Sequence, residues 1–304
     1  MTEQTTPGLK HWLMLLSLGV IWGGSFMGSK MALTGFGPFT VAAGRISIGA
    51  IVLTAIAYGM GRKLPGFGSK TERRVWLHAF GMAMFANAIP FTLLSWAQIY
   101  VSSGYAGITM AAVPLLVLPL AHFLLPGQRM NLQKLVGFVF GFSGVVILIG
   151  PASLIGNGTT LESLAQLACV AAAFGYATSS IITRLSPPSS VMGFSAAALL
   201  MAAAVMVPMA LYLEGVPRIG NMQSMLGMLY LGLMPTAVAT VLLVQIINSV
   251  GPVFLVLVNY QVPVWAVVFG VVLLNETLPG QFIGALSLIL LGLAISQGRR
   301  KLKP

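Results

Sequence analysis

"AQIYVSSG" (residues 97–104) and "VQIINSVG" (244–251) are two versions of one phrase. The likeness continues on both sides. "MAAVP" ends at Pro114 and "NYQVP" at Pro263, each about a dozen residues after its phrase. "LVGFVFGFSGVVIL" (135–148) is answered by "FIGALSLILLGLAI" (282–295), and "IWGGSF" (21–26) more faintly by "AFGYAT" (173–178). The offset stays near 150, about half of the 304 residues. These landmarks divide the chain into a first repeat, 1–150, and a second, 151–304.

Composition fixes the solvent in which the repeats fold. Apolar residues make up 57% of the chain, charged residues 7%, and the mean hydropathy is +0.94. A soluble domain carries about 25% charged residues, and one with so few would expose large apolar patches and aggregate. The chain therefore belongs in a lipid bilayer, where a helix crosses in about 20 residues. Ten apolar runs can be read, at about 12–33, 39–60, 75–98, 102–125, 132–150, 161–183, 190–213, 222–248, 251–274 and 278–297. The first is too long for the apolar core of a signal peptide, and no small-residue cleavage site follows it.

Five crossings per repeat is an odd number, so the second repeat starts on the opposite side and must be inverted. The expected fold is an all-α membrane protein of ten transmembrane helices, two inverted five-helix repeats around a central cavity. That arrangement is characteristic of secondary transporters with a midplane site. Thirteen of the sixteen basic residues fall on one side: Lys10, Arg62, Lys63, Lys70, Arg73, Arg74, Arg129, Lys134, Arg184, Arg299, Arg300, Lys301 and Lys303. By the positive-inside rule both termini are cytoplasmic. Two Asn-x-Thr sequons, Asn157 and Asn275, fall on the outer side, close enough to the membrane to be chance matches.

Several function classes are excluded. The net charge of +11 comes without an aromatic-interleaved basic stripe or a polar groove, so no nucleic-acid partner is expected. The single Cys169 allows neither an internal disulfide nor a cysteine metal cluster; no metal site and no cofactor are expected. "GFSG" (141–144) superficially resembles an intramembrane serine nucleophile. Its base would be a histidine on a later helix, whereas His11, His78 and His122 all precede Ser143. Gly137 and Gly141 read instead as a small-residue packing pair, and no catalytic residue is assigned.

With these landmarks in place the chain resembles the drug/metabolite transporter superfamily, in its ten-span EamA-type branch. The likeness rests on "WGGSF", Lys30, Pro38 and Arg45 in the first half and on Asn275–Glu276 followed by "GALSLILLG" in the second. Within that superfamily it is similar to bacterial exporters of aromatic amino acids. The resemblance implies export of small metabolites across the inner membrane by alternating access. One departure stands out. Where the first repeat would carry an acid after its fourth span, the chain reads "LPGQR", with Gln128 in that place.

The five carboxylates, Glu3, Glu72, Glu162, Glu214 and Glu276, all fall in tails, loops or span edges. A proton-coupled carrier usually needs one inside the membrane. The expectation is facilitated export of neutral or zwitterionic metabolites, amino acids with aromatic or large apolar side chains above all. The rivals are a broad drug or metabolite effluxer and a non-transporting scaffold or receptor.

Lys30 is compatible with two roles: snorkelling outward from the end of its helix, or facing an outer cavity with Arg45 and attracting a carboxylate. Trp22, Phe26 and Lys30 are four apart and share a helical face. Polar side chains near mid-span must face the bundle interior. With their aromatic neighbours, Ser25, Asn87, Gln245, Asn259, Gln261, Tyr176, Tyr230, Tyr260 and Trp265 are therefore candidate substrate contacts or helix ties. "VNYQVPVW" (258–265) is the densest such stretch. Pro90, Pro114, Pro235 and Pro263 interrupt spans at related places and are hinge candidates, since each proline removes a backbone bond. Cys169 as the only thiol makes the topology testable. In a Cys169→Ser background, a cysteine at position 153 should react with an impermeant reagent added outside, and cysteines at 69 and 301 should not. Labelling of position 301 from outside would overturn the even span count.

Overall fold

The computed structural model describes residues 7–150, 160–218 and 220–297. Asn157 and the basic cluster from Arg299 onward lie outside the described residues. Among the described residues, eight helices are long and apolar enough to cross a membrane: α1 (Leu9–Ala32), α2 (Pro38–Gly59), α3 (Lys70–Ala97), α4 (Ser103–Leu124), α5 (Leu132–Ile149), α6 (Leu161–Leu185), α7 (Val191–Glu214) and α8 (Met222–Val250). Two shorter apolar helices follow, α9 (Val258–Leu274) and α10 (Gln281–Gln297). At 1.5 Å per residue, 17 residues reach about 26 Å, a little short of the hydrocarbon core. A one-turn helix, Pro252–Leu255, extends the ninth crossing.

Helix starts follow local chemistry. Ser69 opens α3: its hydroxyl accepts from the Glu72 N–H at 3.1 Å, while the Glu72 carboxylate accepts from the Ser69 N–H at 2.9 Å. Asn131, Ser190 and Asn221 cap α5, α7 and α8 in the same way, each accepting from an N–H three residues on. Between their ends the helices are largely apolar, as contact with lipid requires, with a minority of polar side chains turned into the bundle. The expected edges hold within a few residues, except that α9 starts at Val258 rather than near 251.

The strongest packing joins α5 with α10, α2 with α7, α1 with α9, α4 with α6, α1 with α8, and α3 with α6. Adding five to each helix number maps this set onto itself. Irregularities follow the same correspondence. A π-helical segment interrupts α3 at Ala83–Ala88 and α8 at Leu233–Val238. The helix is also broken after Met110, resuming at Val113, and again between Leu255 and Val258. The prolines fit these breaks unequally. Pro235 lies within its π segment and Pro90 two residues beyond the other; Pro114 occupies a helix's first turn, where its missing N–H costs nothing, and Pro263 lies inside α9.

Small residues allow the closest approach. In the α5–α10 pair, Gly137 and Gly141 lie directly against Gly292, so a Cβ at Gly137 would stand 2.5 Å from the Gly292 carbonyl oxygen. The expected small-residue packing pair is present, and its partner is α10. Gly284, on the same helix, would meet nothing within 4 Å. Gly292→Leu should therefore lower stability in detergent by about 2 kcal/mol or more through overpacking, and Gly284→Leu should leave it nearly unchanged. Thermal unfolding of the two variants side by side checks this.

Candidate functional site

A π turn widens the helix and leaves carbonyls without their usual partners. In lipid each such group needs another donor. Asn87 supplies one in α3, its Nδ2 donating to the Met82 carbonyl at 3.2 Å. Thr236 does so in α8, its Oγ1 donating to the Leu231 carbonyl at 2.8 Å. Both reach five residues back. A third donor comes from another helix: the Trp22 indole N–H binds the Pro235 carbonyl at 3.2 Å. At the break before α9, Asn259 Nδ2 donates to the Val256 carbonyl at 3.0 Å.

Arg45 on α2 meets this repaired backbone. Its Nε donates to Thr236 Oγ1 at 3.2 Å, and its guanidinium carbon lies 3.7 Å from the centroid of the Phe91 ring on α3. Tyr176 on α6 and Tyr230 on α8 are within its electrostatic reach. Arg45 thus joins four helices, yet it is only half-buried. No described residue accepts a hydrogen bond from either Nη, so that edge of the guanidinium is free to hold an anion in a bidentate grip. Gly24 of "WGGSF" and Gly28, one turn on, explain how Tyr230 reaches the site. A Cβ on Gly24 would stand 2.5 Å from the Tyr230 hydroxyl, and one on Gly28 2.7 Å from its ring. That hydroxyl donates to the Ile21 carbonyl at 3.1 Å.

The structure brings Trp22, Arg45 and Tyr176 to this region and sends other sequence candidates elsewhere. Phe26 is buried in the core against Gly107. Ser25 turns back to the Trp22 carbonyl at 2.7 Å. Lys30 is half-buried in the last turn of α1, within electrostatic reach of Glu276. Gln245 is exposed and Tyr260 half-buried. Gln261 packs on Gly19 with its Oε1 buried and unpartnered among the described residues. Trp265 crosses Gly23 and stacks on Phe269 with ring centroids 5.7 Å apart. Sequence reading missed Phe91 and Thr236. Phe91 carries no signal in an apolar run; Thr236 follows Pro235 directly, and a hydroxyl beside a mid-span proline is a usable clue.

A groove of about 580 Å³ runs between α1 and α8, lined by Lys10, Leu13, Ser17, Ile21, Val238 and Leu242 among others. It starts at the face that carries the N-terminus. Its deep end, at Ile21 and Val238, adjoins Trp22 and the π segment that holds Thr236.

A family model, described as the EamA-like transporter family, matches residues 9–150 and again 163–297. Transporter YoaV of Bacillus subtilis is 23% identical over 270 residues, which are 88% of this chain and 90% of the relative. Inner membrane transporter YedA of Escherichia coli is 26% identical over 267 residues, covering 87% and 83%. A probable terminal-alkyne amino-acid exporter of Streptantibioticus cattleyicolor is 23% identical over 173 residues, covering 57% and 56%. One crystal structure, 22% identical, superposes with a TM-score of 0.67 over 94% of this chain and 97% of the other, a likeness of fold.

Proposed function

The chain belongs to the EamA-like transporter family, and from that premise we propose that this membrane transporter exports small neutral or zwitterionic metabolites that carry a carboxylate. Amino acids with aromatic or large apolar side chains are the foremost substrates. The observation that carries this reading is Arg45, whose two Nη groups have no acceptor among the described residues. A carboxylate there would gain charge-assisted bonds in a partly dry setting, where they are stronger than in water. Phe91, Tyr176 and Tyr230 would then offer aromatic surface to the rest of the molecule.

The carboxylates support facilitated movement rather than proton antiport. Glu72, Glu162, Glu214 and Glu276 lie at helix ends or in connections, away from Arg45. The working unit in this proposal is a pair of inverted repeats, 1–150 and 151–304, with both termini in the cytoplasm. The paired helix contacts and the match of one family model to each half support that division. The interrupted third and fourth helices of each repeat, with Pro90, Pro114, Pro235 and Pro263, are the hinge elements.

Counterflow into liposomes tests the substrate reading. Arg45→Gln should slow exchange of zwitterionic amino acids by about tenfold or more, the loss of one charge-assisted interaction, and leave an uncharged aromatic amine analogue unaffected. Arg45→Lys should keep part of the activity, because charge survives while the planar fork is lost. If Arg45→Gln exchanges every amino acid at the original rate and Lys30→Ala does not, the carboxylate site belongs at Lys30. For the hinges, Pro263→Ala should slow transport with little loss of folded protein. Unchanged transport in the Pro114→Ala, Pro263→Ala double variant would reduce both prolines to packing features.

A further inference from the structure

One face of the bundle is held shut by side chains that cross from the second half to the first. It is the face of the connections 33–37, 98–102, 215–221 and 275–280. Glu276 accepts from the Ser103 N–H at 2.8 Å, the Ser103 hydroxyl at 2.8 Å and the Gly104 N–H at 3.2 Å. These N–H groups belong to the first turn of α4, where no carbonyl of the helix can reach them, and a carboxylate there also meets the positive end of the dipole. The local sequence is built for this contact. Asn275 takes the left-handed conformation at the end of α9, with φ 52°, and turns Glu276 back toward α4. Gly270 leaves room, since a Cβ there would stand 2.5 Å from Glu276 Oε2.

Among the described residues the opposite face lacks this device. Gln128 takes the place corresponding to Glu276, and the helix corresponding to the start of α4 begins with Pro252, which has no N–H to give. Glu72, on that face, caps its own helix. Packing is asymmetric in the same sense. α9 packs on the first segment of α4, Ser103–Met110, and diverges from the second, Val113–Leu124. The α1–α8 groove is open there, with Leu13 and Ser17 exposed. Their counterparts on α6 by the "IWGGSF" and "AFGYAT" correspondence, Ala165 and Cys169, are fully buried at the latched face.

Building on the transporter reading, we propose that Glu276 is a gating residue: it holds α4 against α9 while access is open at the other face, and it must release α4 for the latched face to open. Under the proposed topology the latched face is external, so the resting carrier is open to the cytoplasm, as loading for export requires. Glu214 differs from Glu276. It accepts from the Phe39 and Thr40 N–H groups at 2.9 and 2.8 Å, but α2 and α7, which it joins, are among the most extensively packed pairs. It fastens what is already fastened.

The test needs no knowledge of substrate. Val101 is buried beside the latch, and Val101→Cys in a Cys169→Ser background reports opening to an impermeant maleimide added to intact cells. Glu276→Gln should speed labelling about tenfold, the change from a charge-assisted bond to a neutral one. Glu276→Asp, which keeps the charge on a shorter arm, should fall between. Glu214→Gln should not change the rate. If Glu276→Gln is not recovered folded, Gly270→Ala, which displaces the carboxylate without altering charge, must give the same acceleration. Labelling of the Glu276 and Gly270 variants at the same rate as their Cys169→Ser, Val101→Cys parent overturns the gate, whatever the Arg45 variants do in counterflow. Acceleration with an unchanged substrate profile supports it independently of which substrate is carried.

Discussion

Every backbone N–H and C=O inside a bilayer must find a partner without water, and the rest of this structure follows from that requirement. Regular helices meet it by themselves. The departures from regularity do not: the two π segments, the two helix breaks and the bare first turn of α4 each expose groups that something else must satisfy. Several polar side chains are spent on this. Asn87, Thr236, Trp22 and Asn259 repair carbonyls, and Glu276 repairs N–H groups. In the proposed transport cycle these repairs matter, because a helix that depends on a side chain for its hydrogen bond can exchange that side chain for another partner.

Arg45 stands out against this background. Its hydrogen bond goes to Thr236, itself a repair residue, and its flat face is covered by Phe91. A ligand that draws the guanidinium away from Thr236 would disturb the π segment, and that segment also carries Pro235, the partner of Trp22. The candidate site, the groove and the π segment are thus one connected set of contacts. Glycine makes the connection possible: Gly24 and Gly28 let Tyr230 lie on α1, and Gly19 and Gly23 let Gln261 and Trp265 do the same from α9.

Near-symmetry of contacts and asymmetry of closure coexist in the bundle. Helix pairs exchange under addition of five, yet α4 and α9 meet at one face and part at the other. The chemistry matches the geometry. The closed face has a glutamate bound to the N–H groups of a helix's first turn; the open face has a glutamine and a proline at the corresponding places. In the proposed reading of two inverted repeats, the architecture is shared and the two gates differ in strength.

The sequence by itself determined the solvent, the number of crossings and most helix edges. Low charge excludes water as a solvent for the fold, apolar runs set spans, and capping residues such as Ser69 and Asn131 act through bonds to their own helices. It also marked Gly137 and Gly141 as a contact surface, since a missing side chain is visible in any context. It left Lys30 and Arg45 equivalent, because both are cations at similar depth, and it gave α9 too early a start, because the break at 256–257 falls within a run of apolar residues. Tertiary structure decided those points. Lys30 lies within electrostatic reach of Glu276, contributed by a connection some 250 residues away in the chain, while the two Nη groups of Arg45, beside a π turn, have no acceptor among the described residues. Which group a cation within a span meets depends on the distant part of the chain packed beside it, and no local pattern encodes that.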